Sequence, residues 1–478
     1  MLTLRQHYLA LILLLSAAVL AAATGVARTP VVAQASRYTI SLPYIVRAEN
    51  PPPQPTTSNN LQVGSASFFG AAGADTAEAV DVAPDGTLVL AGSFPNYVPT
   101  AITPTDLTPD TGGSVFRISN DGTQILAQTR FGTTLTDLEI APNGNILICG
   151  DAGIALLSAD ASTALWQATP GSVNRCALGN DSSAAALVGN QITVYAITGA
   201  VVGSWSLGTG THNDVAVASA EGIIVATGFR QVSSNLQLPY LRGYSYAGEL
   251  VWTSYDWDAA PNLGADTRGE RVAIGRDGKL YMAGSINGGT GGSVFSRDPK
   301  DLSVRLDRER LITTDTYNNP TNVGSVKIAW FGRFDAADGT LLQSQSLLTR
   351  LSSGRGNSIS ILAITADEYG NVFIAGSTAA SIQNRDTRQV AGITVGNYAG
   401  GEPYFLVISS NLRQRHIWSP FAAPGGSAGN SPANGVAVRR GTAAIAITLT
   451  QGGLITPAPL APTPTELSAA YLAIWPVQ

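Results

Sequence analysis

The sequence predicts an all-β fold: a seven-bladed β-propeller of four-stranded antiparallel blades, the last blade closed by the N-terminal strand. Three observations carry that reading. One strand–turn–strand unit recurs seven times, the chain is rich in glycine (51 residues) with only 13% charged residues, and the two ends of the chain carry complementary strand patterns.

The unit is clearest in five copies. Val80-Asp81-Val82-Ala83 turns at Asp85-Gly86 into Thr87–Ser93, and Leu138–Ala141 turns at Asn143-Gly144 into Asn145–Gly150. Val215–Ala218 turns at Glu221-Gly222, Val272–Gly275 at Asp277-Gly278, and Ile361–Ile364 at Gly370-Asn371. Asp-Gly and Asn-Gly supply the positive φ angles that tight hairpin turns need. Two copies are degraded: 174–188, with Asp181-Ser182 in place of the glycine turn, and 436–448 around Arg440-Gly441. The strands are apolar on both faces, as strands packed between neighbouring sheets should be. Third and fourth strands recur as well, as in Ser114–Ile118 and Ile125–Gln128 around Asn120-Asp121-Gly122. Trp166, Trp205, Trp252 and Trp418 fall in or near fourth strands and read as outer-blade packing.

Four-stranded units that cannot bury both faces alone must stack, and units of this size stack radially. The segment Tyr471–Trp475 reads as a third strand with no fourth after it, and Val63–Gly70 as a fourth strand with no first three before it. Pairing the two closes the ring and hides a sheet edge.

The N-terminal stretch has the form of an export signal. Arg5 and His7 precede an apolar run from Leu9 to Ala23, and Ala33-Gln34-Ala35 has a small-x-small cleavage pattern. The division read from sequence is a signal peptide over 1–35, a proline-rich linker over 36–60 and the propeller over 61–478. An uncleaved anchor over Leu9–Ala27 is the alternative. The expected location is secreted or extracytoplasmic, with cell-surface association if the anchor stays. The net charge of −5 and the lack of a basic block argue against nucleic acid and anionic lipid as partners. The chain reads as a monomer.

The pattern of Asp75, Val80–Val82, Asp85-Gly86, Leu88–Ser93 and Phe94-Pro95 resembles the bacterial seven-bladed propeller repeats called SBBP repeats. So does the unit at Asp367–Asn371 with Ala375-Gly376-Ser377-Thr378. The resemblance implies an exported bacterial propeller with no common activity, so no site residues come with it.

A search for chemistry yields little. The two cysteines, Cys149 and Cys176, fall in the second strand of one unit and the first strand of the next; they form either a disulfide across a blade interface or two buried thiols. His212 and His416 have no second histidine or cysteine nearby, so no catalytic, metal or cofactor residues are assigned. Asp85, Asp121, Asp277, Asp338 and Asp367 are explained as turn residues. Gly289–Gly292 lacks the lysine of a phosphate loop. The second-to-third-strand connections at Phe94–Gly113, Asn287–Val326 and Ile382–Pro403 are long. They are expected to crowd one face around the central opening, with the mixed charge run Arg297–Arg310 in a solvated loop. The function expected is a non-catalytic binding or structural module that recognises a protein or glycan through that long-loop face. The alternative is a hydrolase or lyase acting on polysaccharide with inner-strand acids such as Asp81 and Glu139.

Overall fold

The computed structural model describes residues 53–71, 74–319, 322–457 and 468–477. The signal peptide and residues 36–52 of the linker lie outside the described residues. Seven sheets have four or more strands, and each is named here in chain order, strands running from innermost to outermost. Sheet 1 is Thr76–Val82, Leu88–Ser93, Gly113–Ile118 and Ile125–Arg130, with Thr105–Asp106 added as a fifth strand. Sheet 2 is Leu135–Ile140, Ile146–Gly150, Gly153–Leu157 and Ala164–Ala168. Sheet 3 is Arg175–Leu178, Ala184–Val188, Gln191–Tyr195 and Val201–Ser206. Sheet 4 is Thr211–Ala218, Ile223–Ser233, Leu236–Ser245 and Leu250–Ser254. Sheet 5 is Thr267–Ile274, Leu280–Gly289, Asn322–Phe334 and Leu341–Leu347. Sheet 6 is Ile359–Ala366, Val372–Thr378, Glu402–Ile408 and Arg415–Pro420. Sheet 7 is Ala433–Arg439, Thr442–Leu449, Ala469–Pro476 and, last, the N-terminal strand Ser65–Phe69.

The innermost strands touch in the order 1–2–3–4–5–6–7 and back to 1, which is a β-propeller. The closing strand pairs antiparallel with the C-terminal one, Ser65 opposite Ile474 and Phe69 opposite Ala470. Phe68 packs edge-on to Tyr471 with centroids 5.3 Å apart. The expected count of seven needs a correction, because eight sheets of three or more strands are present among the described residues. The eighth joins Asn60–Leu61 to the hairpin Gln389–Val390 and Ile393–Thr394. It was invisible in the repeat pattern because it is built from linker and insertion residues.

The linker also behaves differently from a free spacer. Ser58 N–H donates to the His416 carbonyl at 2.9 Å, and Gln414 Nε2 donates to Thr57 Oγ1 at 2.6 Å. An extended proline-rich strand makes no internal hydrogen bonds, so its polar groups are available to a neighbouring sheet edge.

The turns confirm the local reading. Gly86 and Gly144 have φ of +85° and +90°. In the degraded turns Ser182 takes the positive φ at +63° in place of glycine, while Arg440 at +48° is followed by Gly441 at +78°. Asp85, Asp121, Asp277, Asp338 and Asp367 each accept the N–H two residues on, from 2.8 to 3.1 Å.

The recurring Ala-Gly of the second strand has a separate cause. Each innermost strand of sheets 1, 2, 4, 5, 6 and 7 carries a one-residue bulge. A Cβ on Gly92 would sit 1.9 Å from the Thr76 carbonyl, and one on Gly150 2.0 Å from that of Thr134. The bulge pushes the backbone of the first strand against the second, and only glycine leaves room.

Candidate functional site: the central cavity

The bulges add one residue each to the innermost strands, and three of these, Glu78, Leu362 and Asn434, line the central cavity. The extra residues are Glu78, Thr136, Asn213, Glu270, Leu362 and Asn434. Three of them reach across to the next sheet: Asn434 Nδ2 to the Ala77 carbonyl (3.0 Å), Thr136 Oγ1 to that of Val173 (2.9 Å) and Asn213 Nδ2 to that of Gly269 (2.6 Å).

Below this tier lies a tier of carboxylates. Neighbouring innermost strands share no β-ladder, so their inward N–H groups need acceptors. Asp81 Oδ2 accepts Ile140 N–H at 3.0 Å, Glu139 Oε2 accepts Leu178 N–H at 2.5 Å, and Asp214 Oδ2 accepts Val272 N–H at 3.0 Å. Asp137 Oδ2 makes a longer contact with Cys176 N–H at 3.5 Å. Each acid thus staples its own sheet to the next through a hydrogen bond to an inward N–H group that would otherwise lack an acceptor.

Guanidiniums complete the ring. Arg175 Nη1 lies 3.9 Å from Asp137 and donates to the Thr136 carbonyl at 3.1 Å. Arg271 Nε donates to Leu362 O at 2.8 Å. Arg276 reaches from sheet 5 to Asp81 of sheet 1 at 2.9 Å, and Arg439 from sheet 7 to Ile140 O of sheet 2 at 3.2 Å.

The four acids and these four arginines line a cavity of about 440 Å³. Its rim includes Pro142, Asn180, Glu221, Glu368 and Arg440, exposed residues of the tight first-to-second-strand turns. The carboxyls inside meet the cavity and not bulk water, so desolvation dominates their titration. Burial pushes the Asp137 carboxyl up to about 6, with Arg175 opposing. Burial lifts Asp214 as well, against the pull of Arg175 and Arg271. Glu139 is pushed well above the usual carboxylate range by burial, and Asp137, Asp81 and Asp214 add to the push. Arg439 is pushed down to about 10 by burial.

The structure thus brings Asp81 and Glu139 together at the cavity with Asp137, which sequence reasoning did not single out, and Asp214, which it weighed only as a neighbour of His212. The usable signal was their place on innermost strands at alternate positions. His212 bonds the Tyr240 hydroxyl through Nδ1, while Asp214, two residues on, accepts Val272 N–H. His416 lies on the outermost strand of sheet 6, away from the cavity lining. Thr290–Gly292, within the glycine-rich stretch, forms a short 3-10 turn. Cys149 and Cys176 face each other across the sheet 2–sheet 3 interface with Cα atoms 6.2 Å apart, joined as a disulfide.

The long connections do not gather at the central opening, and none of their residues lines the cavity. They lie along outermost strands instead. Thr105–Asp106 pairs parallel with the outer strand of sheet 1, and Leu311 bridges to Ser344 on that of sheet 5. Tyr317 packs edge-on to Trp418 on sheet 6 at 5.6 Å. In the charge run, Arg310 pairs with Asp298, and Lys300 sits 5.5 Å from the Trp252 ring. The 382–403 connection is locked by the Arg385–Glu402 pair at 2.6 Å, both side chains 1% exposed. Unpaired outer strands are open templates for association, and these segments cover them.

The fold and the ring define the class: a β-propeller with four-stranded blades. A solved structure titled "Structure of U3-55K" is similar to it, with a TM-score of 0.50 at 9% sequence identity, covering 87% of this chain and 99% of that one. At that identity the likeness shows the fold alone. No family model and no curated protein matches the sequence, so the SBBP likeness rests on the repeat residues quoted above.

Proposed function

We propose that this chain is an exported, non-catalytic binding module. Its repeats are of the SBBP kind. The observation that carries the reading is an asymmetry of the outer strands. Sheets 1, 5 and 6 have theirs overlaid by the chain's own segments, Lys300 covers the Trp252-Thr253 end of sheet 4's, and the outer strand of sheet 7 is buried. The outer strands of sheets 2, 3 and 4 carry exposed Leu165, Val201, Val202, Leu250 and Val251, from 48 to 60% accessible. Adjacent exposed apolar strands fit a protein partner that adds along them. A non-catalytic role agrees with the cavity acids acting as staples.

A photo-crosslinking residue at Val202 tests this in the extracytoplasmic fraction. A discrete crosslinked protein that disappears in Val201→Lys supports the reading. A specific hit on a glycan array, with no crosslinked protein, moves it to glycan. A groove of about 540 Å³ lined by Phe229, Arg230, Gln237 and Asp258 is where a sugar would then sit. Polysaccharide cleavage that is lost in Glu139→Gln would replace it with the hydrolase alternative.

A further inference from the structure

Seven carboxylates and five guanidiniums line the central cavity. Most of the inner acids are spoken for. Asp81 is paired with Arg276, Asp137 with Arg175, and both Asp214 oxygens accept backbone N–H groups, from Val215 and Val272. Glu139 differs. Its Oε2 takes the Leu178 N–H, while its Oε1 has no hydrogen-bond partner, and the side chain joins no ion pair among the described residues. It stands at the cavity wall beside apolar Ile140, Leu178 and Ala216, with access from the exposed turn face.

We propose that this cavity is a binding site for a small organic cation, a protonated primary amine, with Glu139 as its anchoring carboxylate. The volume lies within the range of small-molecule sites. An ammonium head satisfies the open oxygen, and a methylene body covers the apolar wall. A metal ion is a poorer match, since no group of three or more His, Cys, Asp or Glu side chains able to hold one occurs among the described residues. The excess of acids sets a negative potential in a space walled by protein, where such a field is strongest. Burial, with Asp137, Asp81 and Asp214 adding to it, raises the Glu139 carboxyl well above the usual carboxylate range. An arriving ammonium favours the charged carboxylate, so binding in the range where Glu139 titrates releases a proton and strengthens as pH rises.

The experiment is calorimetric titration of the full chain with 1,4-diaminobutane, repeated in buffers of differing ionisation enthalpy. The neutral isostere 1,4-butanediol serves as control. The expected result is one saturable site, weakened by salt, with net proton release and no binding of the diol. Glu139→Gln keeps an acceptor for Leu178 N–H, so it should retain its melting temperature and lose affinity at least tenfold. The wild-type comparison needs no variant. Failure of the diamine to bind at millimolar concentration, equal binding of the diol, or binding without proton release overturns the proposal.

Discussion

Substituting Gly199 by alanine tests how the blades are held to one another at the rim. Gly199 lies in the turn before the outermost strand of sheet 3, with φ of +81°. A Cβ there would sit 2.8 Å from Cγ of Trp166 on the outermost strand of sheet 2. The same device repeats around the ring. A Cβ on Gly248 would meet Trp205 at 2.7 Å, and one on Gly339 would meet Trp252 at 2.5 Å. Each tryptophan is thus roofed by a glycine turn of the next sheet. Gly199→Ala adds a left-handed alanine, about 1–2 kcal/mol, and a steric clash of about 1–3 kcal/mol, or about 3 kcal/mol in all. Removing the indole removes only the second part. In a Trp166→Ala background the substitution should therefore cost only about 1–2 kcal/mol. Equilibrium urea unfolding of the four chains measures both values. Equal costs in the two backgrounds would refute the latch and leave only a backbone effect.

Other expectations follow from the same geometry. Asp137 has its pKa raised to about 6 from 3.8, so the folded state binds more protons than the unfolded one between roughly pH 4 and 6. Its stabilising share is therefore present at low pH and lost as pH rises through that window, about 3 kcal/mol for two pH units. Asp137→Asn should flatten this part of a stability–pH curve measured by denaturant titration. Phe68→Ala, in the closing strand, should cost about 3–5 kcal/mol, and a chain starting at residue 71 should aggregate, as read by light scattering, because the strand Ala469–Pro476 becomes an open edge. Glu402→Gln strands the buried Arg385 guanidinium and should cost about 3–5 kcal/mol in thermal or urea unfolding. The Cys149–Cys176 link spans 27 residues; reduction should lower stability by about 3.5 kcal/mol on the loop-entropy scale, and thiol titration of the native chain should find no free cysteine.

The repeat, the turns and the ring closure were legible because they are local or periodic. Asn-Gly and Asp-Gly encode a positive φ wherever they stand, and a terminal half-sheet at each end implies its complement. Even the tryptophans could be placed on outer strands from spacing alone. What they touch could not be, since Gly199 and Trp166 belong to different units.

By itself the sequence determined the class of fold, the four-stranded unit and the joining of the chain's two ends, since strand periodicity and turn chemistry act over a few residues. Only the tertiary structure decided the path of the long connections, which run to the rim because open strand edges demand hydrogen-bond partners. It alone decided that Asp81, Asp137, Glu139 and Asp214, from three different sheets, share one cavity. Their nearness depends on the angle at which each sheet meets the next, and no stretch of chain short enough to read contains that angle.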